Sequence, residues 1–432
     1  MKTGIAKIVG RRVWDSRGRP TVEAEVQLAG GATGRSIAPA GASKGSGEAL
    51  DLRDGGAAFG GYDVRRALNA INSIVSDALR GFDCCDQTAV DTSLIELDAT
   101  ADKSNLGGNA MIAVSMAAAH AAAAAHGQPL WRYLSLLEGH EDVFLPLPEI
   151  QIFGGGVHAG HRVDIQDFMV IPIGAVEYGQ ALDWCAEVYR SAGELLADAG
   201  LRAGVADEGG WWPQFESNES GLDYLVKSIE KAGLRPGRDV AISLDIAATD
   251  FCRNGRYRLT RDGRELDSEG MSAMLLDWLA RYPIVAMEDP LAEHDMEAMA
   301  RLTAAAGEGV EVVADDLICT SARRIEDAAA AGACNTALIK PNQAGTLAET
   351  RAALEAARTA GWQSIVSARS GETEDVTIVH LAVGWGVKQL KVGSFARSER
   401  MAKWNEGLRI AESAPGDGRL PARESFPWNC RP

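Results

Sequence analysis

The chain has 432 residues, 46% hydrophobic and 24% charged, proportions of a folded globular protein that exclude disordered and collagen-like chains. Its 43 basic against 60 acidic residues leave a formal charge of −17, so no broad positive field draws in a nucleic acid; a small anion needs a local cationic cluster or a divalent metal. At roughly 100 to 200 residues per domain, the length predicts two or three domains, or a small domain beside a barrel of about 250 residues.

The opening MKTGIAKIVGRRVW has no sustained apolar run with a small-residue cleavage site, so no signal peptide is predicted and a cytoplasmic address is expected. TVEAEVQLAG (21–30) alternates apolar and polar residues like a half-exposed strand, and RSIAPA (35–40) can pair with it as a hairpin. AGASKGSGEAL (40–50) follows, a glycine-rich loop suited to a mobile cover. Helices are predicted over 66–80 and 109–126, the second ending at Gly127 and Pro129. The Ala-rich stretch from Ala110 to His126 is too weakly apolar to span a bilayer and reads as a buried helix, so no membrane partner is expected. These elements predict a small α+β domain over 1–138. Seven scattered Cys without CxxC spacing make disulfides and a structural zinc site improbable.

After PLPEIQIFGGG (146–156) the texture becomes short β-branched runs alternating with Ala-rich amphipathic stretches, the pattern of βα units, predicted for 139–432. The runs are 167–174, 241–245, 282–288, 311–315, 336–340, 363–368 and 389–393. Such a series closes into a (β/α)8 barrel or opens as a doubly wound sheet. Polar residues at the run ends favour the barrel, whose active sites gather at that rim, and no GxGxxG follows any run.

Asp245, Glu288 and Asp315 end three of these runs. Any one alone is most simply a solvated loop acid; three at equivalent positions suit an all-oxygen site for a hard cation such as Mg2+. Lys340 ends ALIK in apolar surroundings, where desolvation and a nearby metal would depress its pKa and let it act as a base; a salt-bridged rim lysine is the plainer alternative. HAGHRVDIQDF (158–168) offers His158, His161 and Asp167 without zinc-site spacing, so they read as substrate-site polar groups. ARSGETED (368–375) puts Arg369 and Ser370 at a strand-to-helix junction, where guanidinium, hydroxyl and helix N–H groups can hold a phosphate, a capping role alone being the alternative. Asp15, Arg17 and Arg53 are most cheaply structural ion pairs.

DSRGRPTVEAEV (15–26), AGASKG (40–45), HAG (158–160), DIQDFM (164–169), DEGG (207–210), MEDP (287–290), ADDL (314–317), LIKPNQAGTL (338–347), RSGETED (369–375) and ARSERMAKWN (396–405), in order, resemble enolase. The resemblance implies a small capping domain on a modified (β/α)8 barrel and two Mg2+ ions, the first held by Asp245, Glu288 and Asp315, the second with help from Ser43 on the lid. It implies Lys340 as the base that takes the proton α to the substrate carboxylate and Glu208 as the acid assisting loss of the 3-hydroxyl. Lys391 would meet the carboxylate, Arg369 and Ser370 the phosphate, and His158 the leaving-group side. The implied substrate is a phosphorylated three-carbon acid, and the implied assembly is at least a homodimer.

Departures from the family pattern cluster in the substrate shell. SARSGETED puts Ala368 where the family has histidine, AGASK puts Ala40 and Lys44 in the lid, and GGG (154–156) replaces NGG. Gln166, Asp167 and Phe168 stand for QEF, Asp167 drawing its carboxylate back by roughly 1.5 Å, and Pro341 and Ala344 alter KxNQIG. Metal acids and base remain. Lost side chains make room, and Lys44 brings a cation to the lid, which suits a bulkier or more anionic phosphoryl group. This profile is similar to that of carboxyphosphonoenolpyruvate synthases of phosphinate biosynthesis, which implies a phosphonoformate-derived second substrate. Plain dehydration of 2-phosphoglycerate is the rival expectation, and a non-catalytic binding paralogue a third.

Overall fold

A computed structural model describes residues 2–140, 143–414 and 418–430. Strands β1 (Ile5–Trp14), β2 (Pro20–Leu28) and β3 (Thr33–Ile37) form an antiparallel sheet in that order. The predicted hairpin is β2–β3. Strand β1 escapes sequence reading because Lys7, Arg11 and Arg12 dilute its inward residues Ile5 and Ile8. Helix Gly108–Ala125 lies across β2 and β3. It comes so close at Gly34 that a Cβ there would collide with the backbone of Ala117 and Ala121. By length and hydropathy this helix could cross a bilayer, but 83% of it is buried inside the protein. The helical stretch predicted over 66–80 is continuous from Arg65–Ala70 through a π-helical turn, Ile71–Val75, to Ser76–Ala78. Helices Gln87–Asp98 and Leu130–Leu137 are additions to the predicted set.

The second unit is a closed eight-stranded barrel, which excludes the doubly wound alternative. Its strands are β4 (Leu147–Gly154), β5 (Asp167–Ile171), β6 (Ala241–Asp245), β10 (Ile284–Glu288), β11 (Glu311–Ala314), β12 (Thr336–Ile339), β13 (Gln363–Ser367) and β14 (Gln389–Gly393). A small sheet of β7 (Cys252–Arg253), β8 (Arg256–Leu259) and β9 (Arg264–Leu266) is inserted after β6. The seven predicted runs are all barrel strands, and the eighth is β4, disguised by Glu149 and Gln151, which are buried polar residues of the barrel interior.

The barrel is irregular in one place. Strand β5 is antiparallel to both β4 and β6, while the other pairs are parallel. Two helices in succession, Tyr178–Asp198 and Asn218–Lys231, then join β5 to β6. Because β5 is reversed, its first residue, Asp167, pairs with Gly154 and Asp245, the last residues of its neighbours, and so reaches the same rim. The turn between the two helices returns to that rim with Glu208, held by the Phe153–Trp211 bridge and by Gly154 N–H donating to the Trp211 carbonyl at 2.9 Å.

The small unit is fastened over this rim. Ala40 and Gly371 exchange two backbone hydrogen bonds of 2.9 Å, Arg17 donates to Ser370 Oγ (3.2 Å) and the Ala40 carbonyl (2.8 Å), and Ser36 donates to Asp375 at 2.6 Å. Asp15 pairs with Arg17 at 3.5 Å and Asp51 with Arg53 at 2.8 Å, the structural ion pairs expected. Six cysteines, Cys84, Cys85, Cys185, Cys252, Cys319 and Cys334, are free thiols.

Candidate active site

Asp245 and Glu288 are the last residues of β6 and β10; Asp315, Lys340 and Ala368 directly follow β11, β12 and β13. With Lys391 from within β14 and Asp167 from the start of β5, all are buried at one rim. Ser43, His158, Gln166, Asp167, Glu208, Asp245, Asp315, Lys340, Ala368, Arg369, Ser370 and Lys391 line one cavity of about 30 Å³, room for a water or two. Glu288 lies beneath it, against Lys391.

The lysines lie across the acids. Lys391 donates to Asp245 at 2.8 Å and Glu288 at 2.6 Å, with Asp167 at 4.0 Å, and Lys340 donates to Asp315. Burial opposes charge on Asp245, yet Lys391 holds its carboxyl below the usual range. Glu288 is pushed well above its usual value, by burial and then by Asp245. Neighbouring carboxyls show the same crowding: burial and Asp315 push Asp289 up to about 8, and burial with Asp289 and Asp315 pushes Asp316 up to about 9. The rim carries more carboxylates than its ammonium groups neutralise, which is the electrostatic signature of a cation site.

The donor set fits Mg2+. It is made of hard oxygens, and Gln166 Oε1, Asp167 Oδ2 and Asp250 Oδ2 are buried without a hydrogen-bond partner. Among the described residues, two trios bring ligand atoms within 4.8 Å of one another, Asp289–Asp315–Asp316 and His158–Asp167–Glu208. The expected trio Asp245, Glu288 and Asp315 is not gathered this way: the first two converge on Lys391 and the third on Lys340, since buried carboxylates take the nearest positive charge. For the same reason Lys340 departs from expectation. Burial lowers its ammonium, but Asp315 and Glu288 outweigh that and the net direction is up.

On the other side, His158 Nδ1 is 3.6 Å from Asp167 and 4.0 Å from Glu208. Burial pulls this imidazole down, and Glu208 and Asp167 more than reverse it. Gln151 donates to Asp167 and accepts from Gly210 N–H at 2.7 Å. Gln166 donates to Asp245 at 3.1 Å. Arg369 forks onto Glu48 with two bonds of 3.0 Å and also reaches the Ser43 carbonyl (3.1 Å) and Asn342 Oδ1 (3.2 Å). Gly41 is needed there, because a Cβ would collide with the Arg369 guanidinium. Ser43 Oγ touches Asp250 at 3.4 Å.

Two expectations are corrected. Lys44 does not enter the cavity: its side chain is 45% exposed and its ammonium faces Asp51 at 3.7 Å, the nearest acid on the outer side of the lid. No helix begins at Ser370 either; the next helix is Thr377–Gly384. The intervening loop is held instead by side chains, Glu372 accepting from Arg369 N–H at 3.0 Å and Asp375 from Thr377 N–H at 2.8 Å. Helix-terminal N–H groups therefore do not add to an anion site at Ser370.

Sequence reading missed several residues. Glu48 holds Arg369, and Gln343 donates to Asp315 at 2.8 Å. Fully buried Arg400 fixes the Arg369–Ser370 backbone by donating to their carbonyls at 2.7 and 2.6 Å. Arg400 stands inside the quoted ARSERMAKWN stretch, which was the available signal.

Comparison with known families agrees with this architecture. Residues 5–134 match the family model described as enolase, N-terminal domain, and residues 142–424 match that of enolase, C-terminal TIM barrel domain.

Proposed function

The chain belongs to the enolase family, and from that premise we propose that it is a Mg2+-dependent enzyme forming an enolate from a phosphorylated three-carbon acid, specialised toward carboxyphosphonoenolpyruvate synthesis with a phosphonoformate-derived second substrate. Asp245, Glu288 and Asp315, with Ser43 from the lid, would hold two Mg2+ ions. When bound, these supply the positive charge that offsets the carboxylates' hold on Lys340 and stabilises the dianionic enolate.

The chain's own groups divide the rest. Lys340 Nζ removes the α proton, and Glu208, lining the same cavity, hands a proton to the departing oxygen. Lys391 faces the carboxylate, Arg369 and Ser370 the phosphate, and His158 with Asp167 the leaving-group side. The lid segment around Ser43 excludes water. The family resemblance extends the proposal to a homodimer or larger homo-oligomer working in the cytoplasm.

The observation that carries the specialised reading is Ala368. It presents only a methyl group to the cavity wall beside Arg369, where the family pattern has an imidazole, while Asp245, Asp315, Lys340 and Glu208 line the same space, which supports a changed substrate shell around a retained base and acid. Purified protein with Mg2+ and 2-phosphoglycerate alone is expected to yield little phosphoenolpyruvate. Turnover of about 10 s⁻¹ or more, a typical enzyme rate, overturns the specialised reading in favour of plain dehydration.

A further inference from the structure

The loop 155–166 is held unequally along its length. Its far end is fixed: Asp164 accepts from the backbone N–H groups of Thr260 and Arg261 at 3.0 Å each and from Asn218 at 2.8 Å, and Gln166 N–H donates to the Asp245 carbonyl at 3.0 Å. Its near end, which carries His158, curls on itself, with His161 N–H donating to the Gly156 carbonyl at 2.7 Å and Gly156 N–H to the Val163 carbonyl at 2.9 Å. The chain reverses there through Gly160 and His161 at φ 61 and 57, and a left-handed residue other than glycine persists only where its surroundings hold it.

The next residue supplies a hold. Arg162 lays its guanidinium over the Trp212 ring, 4.9 Å from the centroid, within the range of a cation–π contact; among the described residues no ion pair or hydrogen bond engages that side chain. Trp212 belongs to the same turn as Glu208. Its indole is seated over Gly204, where a Cβ would lie 2.7 Å from Nε1, and its backbone N–H donates to the Gly204 carbonyl at 3.2 Å. Neighbouring Trp211 stacks on Tyr189 at 5.0 Å and donates to the Tyr189 carbonyl at 3.1 Å, which anchors the turn. A second tie between loop and turn is Asp207 N–H donating to the His158 carbonyl at 3.1 Å. With both ties in place His158 Nδ1 stands 4.0 Å from Glu208 and 3.6 Å from Asp167.

We propose that Arg162 is a positioning residue for the proton chemistry: its stack on Trp212 clasps the loop to the turn and sets the His158 imidazole in register with Glu208. Neither Arg162 nor Trp212 lines the main cavity, so the pair acts through His158. The assignment rests on the roles given above to His158 and Glu208.

Hydrogen exchange of the backbone amides over 156–163 in the Mg2+-loaded full chain, set beside steady-state kinetics in whichever assay detects turnover, tests it. Arg162→Ala and Trp212→Leu are each expected to speed that exchange and to lower kcat by about three- to fivefold, the scale of one cation–π contact, with KM moving less than about twofold. Arg162→Lys and Trp212→Phe, which keep a cation and a ring, are expected to recover most of both losses, and the double variant to be no worse than the weaker single one. The clasp is overturned if exchange over 156–163 is unchanged in both single variants, if it speeds without any fall in kcat, if the two losses multiply in the double variant, or if helix Asn218–Lys231 loosens equally, which marks a general loss of stability. The functional reading fails separately, by rapid dehydration of 2-phosphoglycerate alone; the kinetic comparison then runs on that reaction, and the exchange comparison needs no turnover.

Discussion

Arg369 and Glu48 form a two-pronged buried pair, Nη1 to Oε2 and Nη2 to Oε1 both at 3.0 Å, with side-chain exposures of 3% and 7%. The pair latches the distal part of the lid segment to the barrel rim and holds the guanidinium proposed to meet the substrate phosphate. Removing one partner of such a pair strands the other charge and costs about 3–5 kcal/mol. Glu48→Ala is therefore expected to lower stability in urea unfolding by about 3 kcal/mol and to speed proteolysis within residues 40–50. Unchanged lid proteolysis argues that Glu48 does not secure the cover.

Lys340 is the proposed base. Lys340→Ala is expected to lower kcat by about 10²–10⁴, the range of general-base contributions, in whichever assay detects turnover. Activity persisting at a comparable rate would assign proton removal to another group.

Restoring the imidazole at position 368 fills the space left by Ala368. Ala368→His is expected to raise 2-phosphoglycerate dehydration at least tenfold without improving the proposed synthase reaction. No gain would mean that this position does not tune the chemistry.

The crowded acids predict a cation dependence visible without any activity. Adding Mg2+ is expected to raise the thermal midpoint progressively, by the equivalent of about 2.7 kcal/mol at a hundredfold excess over Kd, and Asp245→Asn with Asp315→Asn is expected to abolish the rise. A midpoint indifferent to Mg2+ contradicts the cation site.

A pH effect arises away from the site. His120, bonded to Thr377 Oγ1 at 2.9 Å, is pushed down from 6.5 to about 4, mainly by burial. Its folded pKa lies below the unfolded one, so the unfolded chain binds the proton first as pH falls. Stability is full above pH 6.5 and declines toward pH 4, by at most about 3 kcal/mol. In His120→Gln the urea midpoint is expected to fall less between those pH values; equal slopes in the two proteins would remove His120 as the cause.

How much was legible varies with the kind of constraint. Asp245, Glu288, Asp315 and Lys340 could be located because parallel barrel strands recur at nearly even spacing and end at one rim. Strand β4 was hidden because its interior face carries Glu149 and Gln151, and β1 because its outer face is cationic. Glu208 sits on a helix-to-helix turn, so no strand periodicity points to it and only the motif did. Lys44 was misdirected because residue type gives charge but not direction; the nearest acid decided that. Glu48 acts through Arg369, 321 residues away, and Arg400 through the Arg369 and Ser370 carbonyls on another strand-end loop, and no local periodicity encodes such pairings.

The reversed strand β5 has an evolutionary corollary. In a regular barrel each rim loop hands the chain to a helix, and a change in its length disturbs that helix's seating. The stretch 155–166 instead runs from one barrel strand into the next with no α-helix between them, so changes before Asp164, which is bonded to Asn218 at the start of helix Asn218–Lys231, do not shift a helix that the stretch itself leads into. It is the place where this scaffold can trade one reaction partner for another while its acid ring and amine stay still.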